Sequence, residues 1–158
     1  MSDCPQKRFS APTMELLQEA GWVPGRDVSG KLQLPDDFVP FPAALNVLNE
    51  FGNLRIGKHG PGVECARIPL ILNPMLATGE FDRFIEYENT LRIRLYPLGE
   101  TGDGHSFIAI DEQGRIFLLF ENISFVDNTF DAALDNLLNG TKPPILIDST
   151  GRFISHIS

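Results

Sequence analysis

Residues 106–121 read Ser-Phe-Ile-Ala-Ile-Asp-Glu-Gln-Gly-Arg-Ile-Phe-Leu-Leu-Phe-Glu. Two runs rich in β-branched and aromatic residues, 106–111 and 115–121, flank Glu112-Gln113-Gly114, and Gly114 stands where a short hairpin loop needs a positive φ. The spacing predicts two antiparallel strands joined by a tight turn, and everything around them has to fit a sheet that starts as a hairpin.

On the N-terminal side a further strand is predicted over 91–98. Before it, Thr78 or Gly79 opens a helix whose Phe81, Phe84 and Ile85 form an apolar side, with Glu80, Asp82, Glu86 and Glu88 around the rest. Residues 66–72 read as one strand ended by Asn73-Pro74, and Pro69 within it marks an edge or a bulge. Leu54 and Ile56 alternate with polar neighbours and begin another strand. A helix from Pro42 places Phe41, Ala44, Leu45, Leu48 and Phe51 at spacings of three and four, with Gly52 as its left-handed end. A first helix is capped by Ser10, has Pro12 in its first turn, buries Met14, Leu16, Leu17 and Ala20, and stops at Gly21. C-terminal to the hairpin, Thr129 opens a helix carrying Phe130, Ala133, Leu134, Leu137 and Leu138, ended by Gly140. Pro143-Pro144 then separates a hairpin over 145–157 turning at Ser149-Thr150-Gly151. There is no repeat and no linker. Hairpin-connected strands without a repeated strand-helix-strand unit give an α+β class: a single domain over 1–158 with a mainly antiparallel sheet flanked by about four helices.

The chain has 158 residues, 42% of them hydrophobic, with a formal net charge of -8. Such a composition excludes disordered and fibrous classes. The charge is uneven, with a net of -1 over 1–79 and -7 over 80–158. Phosphate binding depends on Lys and Arg displacing counterions, so this surface repels nucleic acid and anionic lipid, and a charged partner is expected to be basic. No run approaches the roughly eighteen apolar residues of a membrane helix, and the opening MSDCPQKRFS lacks the apolar core of a secretory signal, which predicts a cytoplasmic protein. Cys4 and Cys65 are expected as free thiols.

Strings with catalytic overtones fail on chemistry. Gly52-Asn53-Leu54-Arg55-Ile56-Gly57-Lys58-His59 matches a phosphate-binding loop until His59 replaces the magnesium-holding hydroxyl, and it follows a helix instead of opening one. Gly104-His105-Ser106 lacks the second glycine of a nucleophile elbow, Ile108 standing there, and neither His59, His105 nor His156 is paired by sequence with a nucleophile and a carboxylate. No catalytic residue, metal site or cofactor is therefore assigned. Glu80, Asp82 and Glu86 of the third helix form a solvated face first and a partner surface second. Glu100 and Asp103 lie in an acidic loop without the ligand pattern of a calcium site. With Asp111, Glu112 and Glu121 they make up the candidate partner-binding carboxylates. Residues 96–148 alone carry nine acidic groups against Arg115 and Lys142. Trp22 is read as a core anchor, and Arg26 as satisfying buried carbonyls or one carboxylate.

Gly21-Trp22-Val23-Pro24-Gly25-Arg26-Asp27-Val28 after one short helix, and Phe51-Gly52-Asn53-Leu54 after the next, resemble the third group of the SUKH superfamily. Tyr96-Pro97-Leu98-Gly99-Glu100, the string 111–117 around Gly114, and the helix from Phe130 to Gly140 are similar to it too, over residues 9–140. Asn53 replaces a second glycine and Phe117 stands where tyrosine is common. The resemblance makes Gly21, Trp22, Pro24, Gly25, Arg26, Phe51, Gly52 and Gly114 the structural motif. It implies an α+β bacterial immunity protein without catalytic activity, which binds and neutralises a cognate toxin, commonly a nuclease. A non-catalytic intracellular adaptor is the alternative. A monomer or a weak homodimer, paired through the edge at Pro69 or the terminal hairpin, is expected.

Overall fold

The computed structural model describes residues 8–102, 104 and 106–154, so the expectations placed on Cys4, Asp103, His105 and His156 lie outside the described residues. In chain order the elements are α1 (Ala11–Ala20), α2 (Pro42–Phe51), β1 (Arg55–Ile56), β2 (Gly60–Pro61), β3 (Ala66–Arg67), β4 (Leu70–Ile71), α3 (Phe81–Leu91), β5 (Leu95–Thr101), β6 (Phe107–Asp111), β7 (Ile116–Leu119), β8 (Ile123–Asp127), α4 (Phe130–Asn139) and β9 (Ile145–Ile147). Short 3-10 turns occupy Ser29–Lys31 and Pro74–Ala77. Seven strands form one sheet in the order β1-β4-β5-β6-β7-β8-β9, every pair antiparallel, and β2 with β3 forms a small second ribbon. The architecture is α+β, in agreement with the class read from the hairpin.

That hairpin is the centre of the sheet. Phe107, Ile108, Ala109 and Ile110 face Leu119, Leu118, Phe117 and Ile116 in register, and Gly114 takes φ 95° in the turn. Every residue of β6 and β7 is buried, so both faces of the sheet are covered. Phe84 of α3 packs 5.5 Å from Phe107, and Phe153 packs on Phe125, which packs on Phe117; α3 and the C-terminal segment thus cover that face. The other layer is built by α1, α2 and α4, which contact one another and β1, β5, β6 and β8. Phe51 and Phe130 bring α2 and α4 together at 4.8 Å. Each fully buried apolar side chain in these layers contributes about 1.5–3 kcal/mol.

Several boundaries differ from the sequence expectation, each for a local reason. Ser10 has the extended backbone of a cap, but its hydroxyl bonds Asp135 Oδ1 of α4 at 3.0 Å instead of the helix amides. Gly52 is not left-handed: φ is -56°, and Asn53 at φ 70° makes the reversal. Glycine is needed at 52 because a Cβ there would collide with the Leu32 side chain and the Leu48 carbonyl. The run 66–72 is two strands in different sheets. Pro69 has no N–H for a ladder, and the chain steps there, with Ile68 N–H on Leu137 O and Gly102 N–H on Pro69 O. Its strand β4 lies between β1 and β5, so Pro69 provides no free edge for dimerisation.

Thr78 does not open α3; its hydroxyl closes the preceding 3-10 turn on Met75 O, and the helix begins at Phe81. That helix runs through Leu91, which moves the strand predicted over 91–98 to Leu95–Thr101. Strand β8 was not anticipated, and it carries the sheet from β7 to β9. Beyond β9, Phe153 bridges back to Ile147 around a turn at Asp148, so the predicted terminal hairpin is present as far as it is described.

Candidate functional site

The glycine-tryptophan string forms a joint between two helices. Gly21 at φ 103° ends α1 and lets Trp22 turn inward, where its ring stacks on Phe51 at 6.2 Å and meets Phe9 edge-on at 6.1 Å. Trp22 Nε1 donates to Glu50 Oε2 at 3.1 Å. Gly25 at φ 83° makes the turn after Pro24 that brings Arg26 under the end of α2. The Arg26 guanidinium donates to the carbonyls of Glu50 and Gly52, which α2 itself leaves unpaired. Desolvation lowers the Arg26 pKa, and the neighbouring Glu50 carboxylate works against that. Arg8 bonds Glu50 and Asp131 together, and those two hydrogen bonds raise its pKa. A groove of about 590 Å³ lies over this joint, lined mostly by Phe9, Ala11, Met14, Trp22 and Pro24, with Arg8 and Glu15 at its rim.

The candidate carboxylates divide into two groups at opposite ends of the sheet. Asp111 and Glu112 sit at the β6–β7 turn. Asp111 was expected on a partner surface, yet its side chain is 2% exposed and wholly engaged: Oδ1 accepts from the Gln113 and Arg115 amides, and Oδ2 from Arg115 Nε at 2.6 Å. Glu112 is exposed and pairs with Arg94 at 3.1 Å. At the other end, Glu80 at the start of α3 pairs with Arg83 at 3.6 Å and lies close enough to Glu100 of β5 to act on its charge. Glu86 of α3 and Glu121 after β7 line one shallow hollow of about 220 Å³. Asp82 is exposed one helical turn before Glu86. Among the described residues, the other carboxylates of the second half accept hydrogen bonds within the fold, Glu88 from the Leu95 amide. Asp127 accepts from Asn136, Asp131 from Arg8, Asp135 from Thr13 and Ser10, and Asp148 from Thr150 and Arg152.

Other strings do not assemble. The segment ending at His59 holds β1 and its exit, and Ser106 immediately precedes β6 with its backbone N–H on Thr101 Oγ1. Among the described residues no three His, Cys, Asp or Glu side chains are grouped to hold a metal ion, and no helix is long and apolar enough to cross a membrane. Compared with known families, residues 9–140 match the family model of the SUKH-3 immunity protein. The chain belongs to the SUKH-3 immunity protein family. Neither the curated proteins nor the solved structures give a match.

The SUKH-3 match begins at Phe9 and ends at Gly140, so it spans the joint, the acidic end of the sheet and α4, while β9 lies beyond it. Three residues that organise this SUKH-3 fold carried no signal in the sequence. Glu50 looks like an ordinary surface helix position, yet it receives Trp22 and Arg8. Arg83 lies over the Phe120 ring at 5.8 Å while pairing Glu80, and Tyr87 Oη donates to Phe120 O. The pairing of the α3 start with the β7–β8 turn is visible only when α3 is folded over the sheet.

The Glu100 pKa is raised, first by desolvation and then by the like charge of Glu80. The folded state therefore binds that proton more tightly than the unfolded chain, and stability falls as pH rises through the interval above the ordinary carboxylate value. Glu100→Gln is expected to raise stability at neutral pH by up to about 1 kcal/mol, the scale of an exposed charge pair, and to give no gain at pH 3, where both forms are neutral. Thermal melts of the two proteins across pH 3–8 check the sign.

Proposed function

We propose that this immunity protein neutralises a basic toxin that attacks nucleic acid, through the carboxylates gathered where α3 meets the ends of β5 and β7. The observation that carries the reading is the sorting of the acidic groups. Asp111, Asp127, Asp131 and Asp135 are engaged within the fold, whereas Glu80, Glu86, Glu100 and Glu121 lie where α3 meets the ends of β5 and β7, with Asp82 exposed on the same helix and Asp148, bonded to Thr150, on the rim of the hollow that Glu86 and Glu121 line. Burial first, and then the like charge of Glu80, disfavour the ionised form of Glu100 at that same end. A toxin that acts on phosphodiesters presents a positive site, which a negative inhibitor occupies by complementary charge and reaches quickly.

The test is a set of five substitutions made together, Glu80→Gln, Asp82→Asn, Glu86→Gln, Glu100→Gln and Glu121→Gln, in the full chain. Against the purified toxin domain encoded beside this gene, inactivated in its own catalytic site, association is expected to slow at least about tenfold at low salt, with the difference shrinking at high salt. Glu112→Gln, at the opposite end, leaves the rate unchanged. Unaltered association and unaltered protection of toxin-expressing cells by the fivefold variant would show that the acidic end is not the contact.

A further inference from the structure

Resting on that reading, we infer that Phe120 is the apolar anchor of the toxin contact, inserted into a recess on the toxin's basic face. Turns favour Gly, Asn, Asp, Ser and Pro, and a large ring is unusual as the first residue of a three-residue hairpin loop. Phe120 nevertheless occupies the β7–β8 turn with 41% of its surface exposed. Its backbone is fixed from both sides: its N–H donates to Asn122 O at 3.1 Å, and its carbonyl accepts from Tyr87 Oη of α3. Arg83 covers the ring in part, and the same guanidinium pairs with Glu80. A presented aromatic with little conformational freedom loses little entropy on binding, which is the condition for a hot spot.

The surroundings specify what it meets. Glu121 follows Phe120 directly and lines one hollow with Glu86, and the Arg83 guanidinium at the ring is paired with Glu80, so the surroundings of the ring are net negative and favour an apolar group carried on a positively charged surface. A cationic protein face with an apolar recess fits; an anionic lipid or nucleic acid is repelled. The two kinds of residue divide the work. The carboxylates accelerate encounter, and Phe120, uncharged and seated in the contact, slows departure.

The division gives a test that separates this inference from the one beneath it. Full-length wild type, Phe120→Ala, Phe120→Leu and Val63→Ala are measured by surface binding kinetics against the same inactivated toxin domain at two salt concentrations. Phe120→Ala is expected to weaken binding about 30-fold or more, the hot-spot range, almost entirely through faster dissociation and with an unchanged salt dependence. Phe120→Leu falls between Ala and wild type, and it preserves a readout should the alanine variant melt early. Val63→Ala removes a still more exposed apolar side chain from the β2–β3 loop and leaves the kinetics alone. Tight wild-type binding that Phe120→Ala weakens less than threefold overturns the anchor and spares the acidic contact. Absence of wild-type binding overturns both.

Discussion

Trp22→Ala is expected to destabilise the protein by about 3–5 kcal/mol, the range for removing a large buried aromatic, and to lower Tm by about 10 °C or more for a domain of this size. The indole is 4% exposed and has two roles. Its ring stacks on Phe51 and meets Phe9 edge-on, so its loss opens a cavity at the junction of α1 with α2. Its Nε1 is one of the groups that hold the Glu50 carboxylate, beside Arg8. Trp22→Phe separates the roles: it keeps most of the packing and forfeits the hydrogen bond, at about 1–2 kcal/mol, because Glu50 retains Arg8. Urea denaturation of the three proteins orders them wild type, Phe, Ala. An alanine variant within 1 kcal/mol of wild type would mean that the groove over the joint collapses to refill the space, and that the indole is a ligand surface and no anchor.

The hairpin at 106–121 was legible because two continuous apolar runs, Phe107–Ile110 and Ile116–Phe120, flank a short glycine-containing turn, the pattern of paired strands covered on both faces. The helices were legible for similar reasons. Strand β8 escaped because Ile123-Ser124-Phe125-Val126-Asp127 is short and follows a turn with Phe at its apex, without the Gly or Pro that punctuates a chain. Gly52 misled because the same residue serves two needs, left-handed backbone and room for a neighbour, and only packing distinguishes them. Ser10 misled because a carboxylate 125 residues away competes for its hydroxyl.

Charge was the least legible property. A count over 96–148 sees a continuous acidic stretch, but the fold takes Asp127, Asp131 and Asp135 into bonds with Asn136, Arg8 and Thr13, residues scattered along the chain. Residue numbers report how many carboxylates exist. The pairing of the strands and the placement of α3 decide which of them are taken into internal bonds, and the five proposed for the partner surface come from α3 and its cap, β5 and the β7–β8 turn, which sequence separates by up to 41 positions.

Asp111→Ala tests that sorting most directly, with an expected loss of about 3 kcal/mol. Removing one member of a buried pair costs about 3–5 kcal/mol, and the lower end applies because Arg115 is 36% exposed and finds water in part. Two amides, of Gln113 and Arg115, lose their acceptor within the turn at the same time. Asp111→Asn retains an acceptor for those amides and gives up the charge opposite Arg115, so about half the loss is expected. A double-mutant cycle with Arg115→Ala isolates the ion pair, for which a coupling of at least 1 kcal/mol is expected from urea curves. Because the β6–β7 turn and the α3 end lie at opposite ends of β7, Asp111→Asn protein, assayed well below its Tm, binds the inactivated toxin domain with wild-type kinetics. The reverse pattern, stability kept and toxin association slowed, would return Asp111 to the partner surface on which the acidic count over 96–148 first placed it.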